Sequence, residues 1–348
     1  MMDALRAIAP GSPLHNGLER ILQANMGAIV VVGDGPEVLD VCSGGFLLDS
    51  EYSPQRLSEL AKLDGAIILA GDGSRIARAN VHLVPDPNLP TSETGTRHRT
   101  AERVARAIDV PVVAVSEDLN VITLYRGDHK HQLSSTPRLL GRANQALQTL
   151  ERYCERLQTV SRALSALEVE DLVTVREVAV VLQRGEMVSR IAEEISGYII
   201  ELGTDGRLVS LQLDELGAGV EDERRLVVRD YLRDDSCEAA DEALAALTNL
   251  STESLQDVSM LTQVLRLHAD DDPDGSISPR GYRLLARIPR VPENLARRLV
   301  ERFGDLQKLL TASVADLQEV EGVDGTVAGA VKDGLARLAE SSILDRYG

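Results

Sequence analysis

The residues best suited to do chemistry stand in two short segments about thirty positions apart. Gly95-Thr96-Arg97-His98-Arg99-Thr100 directly precedes Ala101, Val104, Ala105 and Ile108, whose three- and four-residue steps are those of a helix with one buried face. The spacing therefore puts two arginines and a histidine at or just before a helix N-terminus. Unpaired backbone N–H groups and the positive end of the dipole favour an anion there. Arg97 and Arg99 can grip phosphate oxygens in forked, charge-assisted pairs. His98 can donate a hydrogen bond or move a proton, and Thr96 and Thr100 add hydroxyl donors. The competing reading is a solvated basic turn paired with the nearby Glu93 and Glu102.

The second segment is Lys62-Leu63-Asp64-Gly65-Ala66. It places Asp64 at the mouth of the apolar run Ala66–Ala70, and Gly65 lets a ligand approach the backbone closely. A carboxylate at that point can hold a divalent metal on a triphosphate or polarise a sugar hydroxyl for attack. Asp-Gly is also a common turn. The chain has no G-x-x-x-x-G-K-[ST] loop and no G-x-G-x-x-G run after a strand, and Gly71-Asp72-Gly73-Ser74 sits between two strands as a hairpin turn.

These segments belong to a chain of 348 residues, 43% hydrophobic and 26% charged, long enough for two or three domains with sizeable cores. No apolar run reaches the ~18–20 residues of a membrane span, and the mixed N-terminal stretch has no signal-peptide core. Cys42, Cys154 and Cys237 form no C-x-x-C pair, which fits a reducing cytoplasm and neither zinc nor a disulfide framework. The formal net charge of −18 repels polyanions, so any nucleic-acid contact needs a local basic patch. Aromatic residues make up only 3%, without Trp, which leaves few stacking platforms for unpaired bases.

Residues 1–140 read as α/β. Gly27–Gly33 is a buried strand, and residues 37–42 are expected to pair with it across the Gly33-Asp34-Gly35-Pro36 turn. Residues 66–70, 111–115, 120–125 and 130–133 continue the series. Their short turns leave no room for helical crossovers, so the sheet is expected to be mixed and largely antiparallel, with helices on its faces. From 137 to 200 the pattern is long helices, with Ala143, Leu147, Leu150, Cys154 and Leu157 opening one apolar stripe. Leu244–Leu267 behaves similarly, and residues 270–275 are the linker candidate. The histidines His15, His82, His129, His131 and His268 show no metal-ligand spacing. His129 and His131 share one strand face, read as a solvated edge.

Taken jointly, Asp64-Gly65-Ala66 and Gly95-Thr96-Arg97-His98-Arg99 resemble the paired D-G-A and R-H-R motifs of diadenylate cyclases of the DNA integrity scanning family. Gly44–Asp49, Asn80–Asp86 and Val115-Ser116 leading to Asn120-Val121 agree with it, and the resemblance covers nearly the whole chain. It implies a nucleotidyltransferase that joins two ATP molecules into cyclic di-AMP, with Mg²⁺ or Mn²⁺ as cofactor. It implies that Asp64 activates the 3′-hydroxyl and takes part in metal binding, and that Arg97, His98 and Arg99 hold the phosphates. Thr96, Thr100 and Ser116 would be further contacts, with Gly65 and Leu83 beside the adenine and ribose. It also implies a homo-octamer of two facing tetramers in the cytoplasm, association with the nucleoid, and no membrane contact.

Residues 288–292, 295–304 and 317–323 resemble a tandem helix-hairpin-helix module, whose glycine hairpins offer backbone N–H groups to DNA phosphates. Arg290, Arg297, Arg298, Gly322 and Lys332 are the DNA-binding candidates, with Arg302 and Lys308 adding charge. Arg290 and Pro292 stand where the generic motif has glycines. Asp324 replaces a glycine in the second hairpin, where a carboxylate would repel phosphate. The expected organisation is a cyclase domain over 1–140, an all-α middle domain over 141–275 and a helix-hairpin-helix domain over 276–348. Branched or damaged DNA is the expected partner of the last. The competing readings are a non-catalytic scaffold that binds DNA junctions and an enzyme adding single nucleotides to an acceptor. The presence of Asp64 together with the arginine cluster favours the cyclase.

Overall fold

A computed structural model describes residues 1–265 and 274–347, with side chains through 341. His268 and most of the expected linker, 270–273, lie outside the described residues. The chain divides into two compact units, one of residues 1–145 and 195–211, the other of 146–194 and 212–348.

The first unit is an α/β layer structure. In chain order it runs α1 (Met2–Ile8), α2 (Pro13–Gln23), β1 (Ala28–Val32), α3 (Pro36–Asp40), β2 (Cys42–Ser43), β3 (Phe46–Glu51), α4 (Pro54–Leu60), β4 (Ala66–Leu69), β5 (Arg75–Leu83), α5 (Thr96–Ile108), β6 (Val112–Ser116), β7 (Val121–Arg126) and β8 (His129–Gln132). The strand order is β2-β5-β4-β1-β6-β7-β8, with β3 also on β5. Only β1 and β4 run parallel; the other pairings are antiparallel, as expected of short turns. Side chains alternate across the sheet. Val30, Ile67, Leu69, Val113 and Val115 face one core with Leu18, Ile21 and Leu57 of the α2 and α4 layer. Ile29, Val31, Ile68, Val112 and Ala114 face the other with Ala101, Val104 and Ala105 of α5. Both faces are covered, so the strands read as unbroken apolar runs.

Residues 37–42 do not pair with β1. Gly35 is the N-cap and Pro36 the first residue of α3, a position that suits proline's fixed φ and missing N–H. β1 is flanked instead by β4 and β6.

The helices α6 (Thr136–Glu170) and α7 (Val175–Leu202) follow the expected apolar stripe. Beyond them lie α8 (Arg207–Gly217), α9 (Val220–Tyr231), α10 (Cys237–Thr248), α11 (Thr252–Gln256) and α12 (Val258–Leu265). The single helix expected over Leu244–Leu267 is therefore broken within its described part. Ser251 caps α11 by accepting from Ser254 N–H, a competing local bond that stops α10 from continuing. Of the expected linker, Gly275 is not free chain: its carbonyl accepts from Val175 N–H at 3.1 Å, and Ile277 N–H reaches Val173 O at 3.0 Å.

The C-terminal helices are α13 (Tyr282–Ala286), α14 (Glu293–Phe303), α15 (Leu306–Thr311), α16 (Val314–Gln318) and α17 (Gly325–Tyr347), packed on one core that includes Leu285, Leu299, Leu309 and Val331. Within the second unit this module is locked to α6 and α9 by a buried ion cluster. Arg283 is fully buried and pairs with Glu168 at 2.6 Å and Glu223 at 2.7 Å. Asp230 accepts from the N–H groups of Gly281, Tyr282 and Arg283.

Candidate active site

The cleft opens where the parallel strands β1 and β4 begin. Gly27 and Ala28, Asp64 to Ala66, the end of β5 and the first turn of α5 form its walls, around about 580 Å³ of space open to solvent.

The local sequence explains each wall. Gly65 makes the tightest approach: a Cβ there would fall 2.6 Å from Asn80 Cα, where β5 carries a bulge against β4 and Asn80 adopts φ +55°. Its glycine thus serves chain packing. On α5 the N–H of Arg99 is the first to find a helical carbonyl, Gly95 O at 2.9 Å. Gly95 supplies no side-chain cap, so the N–H groups ahead of Arg99 lack intrahelical partners.

Of the expected residues, Asp64, Gly65, Leu83, Thr96, Arg97 and Thr100 come together in this cleft. Asp64 Oδ1 lies 3.3 Å from Arg97 Nη2, and the Asp64 side chain is 96% exposed. Neither Glu93 nor Glu102 forms an ion pair with Arg97 or Arg99 among the described residues. Glu102 is buried and accepts from Thr91 Oγ1 at 2.6 Å and Ser92 N–H at 3.0 Å, besides pairing with Arg106. Glu93 holds Tyr125 and Lys130.

The other candidates stand apart from the lining. Arg99 is exposed on α5. Ser116 follows Val115, whose partner is Ala28, so it lies level with Gly27, its Oγ accepting from Leu119 N–H at 3.3 Å. His98 turns to Tyr125, with Nδ1 2.8 Å from Oη. Burial holds its pKa below the ordinary histidine value against the pull of Glu93, with Lys130 and Arg97 lowering it further. The strand-mouth residues Gly27 and Ala28 were not anticipated, although Gly27 carries the same signal as Gly65, a glycine entering a buried strand.

Among the described residues no group of three His, Cys, Asp or Glu gathers to hold a metal. The cleft offers one carboxylate, Asp64, with His82 also in its lining. That donor set fits a hydrated Mg²⁺ or Mn²⁺ arriving on substrate phosphates. His131, read as a solvated edge, instead meets Glu201 of α7 at 2.8 Å. No described helix is long and apolar enough to cross a membrane.

In the C-terminal module the two hairpins repeat one geometry. Val291 N–H bonds Ile288 O, and Val323 N–H bonds Val320 O. Arg290 and Gly322 hold the same turn position at φ +72° and +86°. Asp324 caps α17, accepting from Thr326 and Val327 N–H at 2.9 and 2.8 Å, so the departure from glycine has a structural use. Arg290 and Arg297 are exposed. Arg298 instead donates to Glu321 O at 2.7 Å, and Lys332 Nζ turns inward to Leu310 O and Ala312 O. Arg302 and Lys308 pair with Glu319 and Asp305.

Comparison with known proteins places family resemblances along the chain. A family described as "DisA bacterial checkpoint controller nucleotide-binding" matches residues 15–130. One described as "DisA bacterial checkpoint controller linker region" matches 133–272, and a helix-hairpin-helix motif matches 283–343. Proteins called "DNA integrity scanning protein DisA" are similar throughout. The one from Frankia alni is 56% identical over 345 residues, 99% of this chain and 96% of that protein. That from Acidothermus cellulolyticus is 56% identical over 346 residues, 99% and 94%. That from Streptomyces coelicolor is 54% identical over 351 residues, 100% and 94%.

Proposed function

The chain belongs to the DNA integrity scanning (DisA) family, and on that footing we propose that it is a diadenylate cyclase converting two ATP into cyclic di-AMP and two pyrophosphates. The observation that carries this is the pairing of Asp64 with Arg97 at a helix N-terminus, in the cleft at the mouth of β1 and β4. Each 3′-hydroxyl attacks the other nucleotide's α-phosphorus: two phosphoester bonds form, and two bonds to pyrophosphate break. Asp64 takes up the hydroxyl proton as the attacking oxygen forms its bond. Arg97 and the unpaired N–H groups of α5 hold the phosphates.

One cleft binds one ATP, so the reaction needs a second copy facing the first. The 96% exposure of the Asp64 side chain supports that arrangement, because it leaves the carboxylate accessible to a second copy. A homo-octamer of facing tetramers meets the need. A divalent metal held by Asp64 on the phosphates would neutralise charge on the departing pyrophosphate. The C-terminal module, through the exposed Arg290 hairpin, contacts phosphates of branched or damaged DNA and modulates synthesis. Such a protein works in the cytoplasm, beside the nucleoid.

The test is to incubate the purified protein with ATP and Mg²⁺, and separately Mn²⁺, and to identify products by mass spectrometry. Cyclic di-AMP is expected. A folded oligomer that yields none with either metal contradicts the proposal.

A further inference from the structure

His98 stands next to Arg97 on α5, yet its ring does not line the cleft. Its edge lies beside the helix N-cap, where a Cβ on Gly95 would be 3.9 Å from Cδ2. Nδ1 is 2.8 Å from Tyr125 Oη. That hydroxyl is 2.7 Å from Glu93 Oε1, which Lys130 Nζ reaches at 2.5 Å. Burial would raise the Glu93 pKa, but the bonds from Lys130 and Tyr125 hold it below the ordinary glutamate value. An ionised carboxylate only accepts, so the single Tyr125 proton points at Glu93. The tyrosine oxygen is then an acceptor toward His98, and Nδ1 carries the hydrogen. The other ring nitrogen, Nε2, is buried without a hydrogen-bond partner among the described residues. In the neutral ring it is a bare lone pair, and leaving such a group unpaired is unfavourable.

We infer that Tyr125 and Glu93 are positioning residues that lock His98 as its Nδ1–H tautomer, leaving Nε2 to take up a proton when a nucleotide's polyphosphate reaches the α5 N-terminus. The inference rests on the nucleotide reading above. One proton passes from solvent to Nε2, which then donates to a phosphate oxygen. Nδ1–H stays on Tyr125, and the tyrosine proton stays on Glu93. The groups facing the ring set the balance. Glu93 favours the cation, whereas burial, Lys130 of β8 and Arg97 of α5 oppose it, so the free ring is neutral. Negative charge at the helix terminus tips it.

Two measurements on the full chain test this. The first is solid-state NMR of the sedimented protein, labelled in histidine and assigned by comparison with His98→Gln. It should show His98 protonated at Nδ1 and bare at Nε2, with Tyr125→Phe and Glu93→Gln giving a tautomer mixture. The second is calorimetry with the α,β-methylene analogue of ATP near neutral pH, in buffers of different ionisation enthalpy. Wild type should bind with net proton uptake. Tyr125→Phe should lose that uptake and bind about tenfold more weakly, the scale of one hydrogen bond to a charged group. A hydrogen on Nε2 in the free protein, or unchanged uptake in Tyr125→Phe, overturns the inference. Failure of the analogue to bind the wild type sinks the nucleotide reading instead, and the proton uptake with it, while the spectrum still decides the positioning.

Discussion

Arg97 lies against Gly27: a Cβ at position 27 would fall 2.6 Å from its Nη1 and 3.0 Å from its Cζ. The guanidinium that meets Asp64 therefore keeps its place because β1 is entered through a residue with no side chain. Gly27→Ala should push the guanidinium aside at little cost to the fold, since the displaced atoms end a flexible side chain. Loss of a charge-assisted contact predicts ATP affinity about tenfold weaker by calorimetry. The thermal midpoint should move by less than about 2–4 °C.

Gly65→Ala should behave differently. The added methyl would meet backbone, Asn80 C at 2.5 Å and Cα at 2.6 Å, and neither can rotate away. Overpacking of this kind costs about 1–3 kcal/mol, read as a lower urea midpoint. The two glycines thus separate ligand placement from stability, although both enter neighbouring parallel strands.

The His131–Glu201 pair predicts a pH dependence. Donating a hydrogen bond to Glu201 raises the His131 pKa above its ordinary 6.5, against the effect of burial. A group whose folded pKa is raised adds stability in full below its unfolded pKa and loses it as pH rises through the folded value. Urea midpoints of wild type and His131→Gln should therefore differ most below about pH 6.5 and converge at alkaline pH. A gap that widens with rising pH would contradict the assignment.

The basic residues of the C-terminal module should divide by direction. Arg290→Glu should weaken binding to branched DNA and flatten the salt dependence by about one unit of log–log slope. Lys332→Met, which removes donors from Leu310 O and Ala312 O, should lower stability and leave the slope unchanged. Salt titrations of both variants, alongside melting curves, distinguish the two.

Much of the fold was legible because its cues are local. The short apolar runs over 66–70, 111–115 and 120–125 are strands, and the Gly71–Ser74 turn joins an antiparallel pair. α3 was misread because Val38, Leu39 and Val41 look like a strand, and one proline at the first helical position decided otherwise. In the cleft, Asp64, Gly65 and the Thr96–Thr100 turn were legible as charge at strand and helix ends. The Tyr125–Glu93–Lys130 chain was not: Glu93 is near His98 in sequence, but Tyr125 and Lys130 reach the two from β7 and β8. Residue type also conceals direction: Lys332 is basic by sequence and internal by structure, while Asp324 reads as a defect and is a helix cap.

The most direct test of the account is Asp64→Asn, assayed for both ATP binding and cyclic di-AMP formation. Asp64 is exposed at the cleft mouth, where its carboxylate pairs with Arg97, so the substitution should spare the fold. The account predicts ATP affinity within about threefold of wild type, and turnover reduced by about 10²–10⁴, the range for loss of a catalytic base. Full turnover by Asp64→Asn would contradict it.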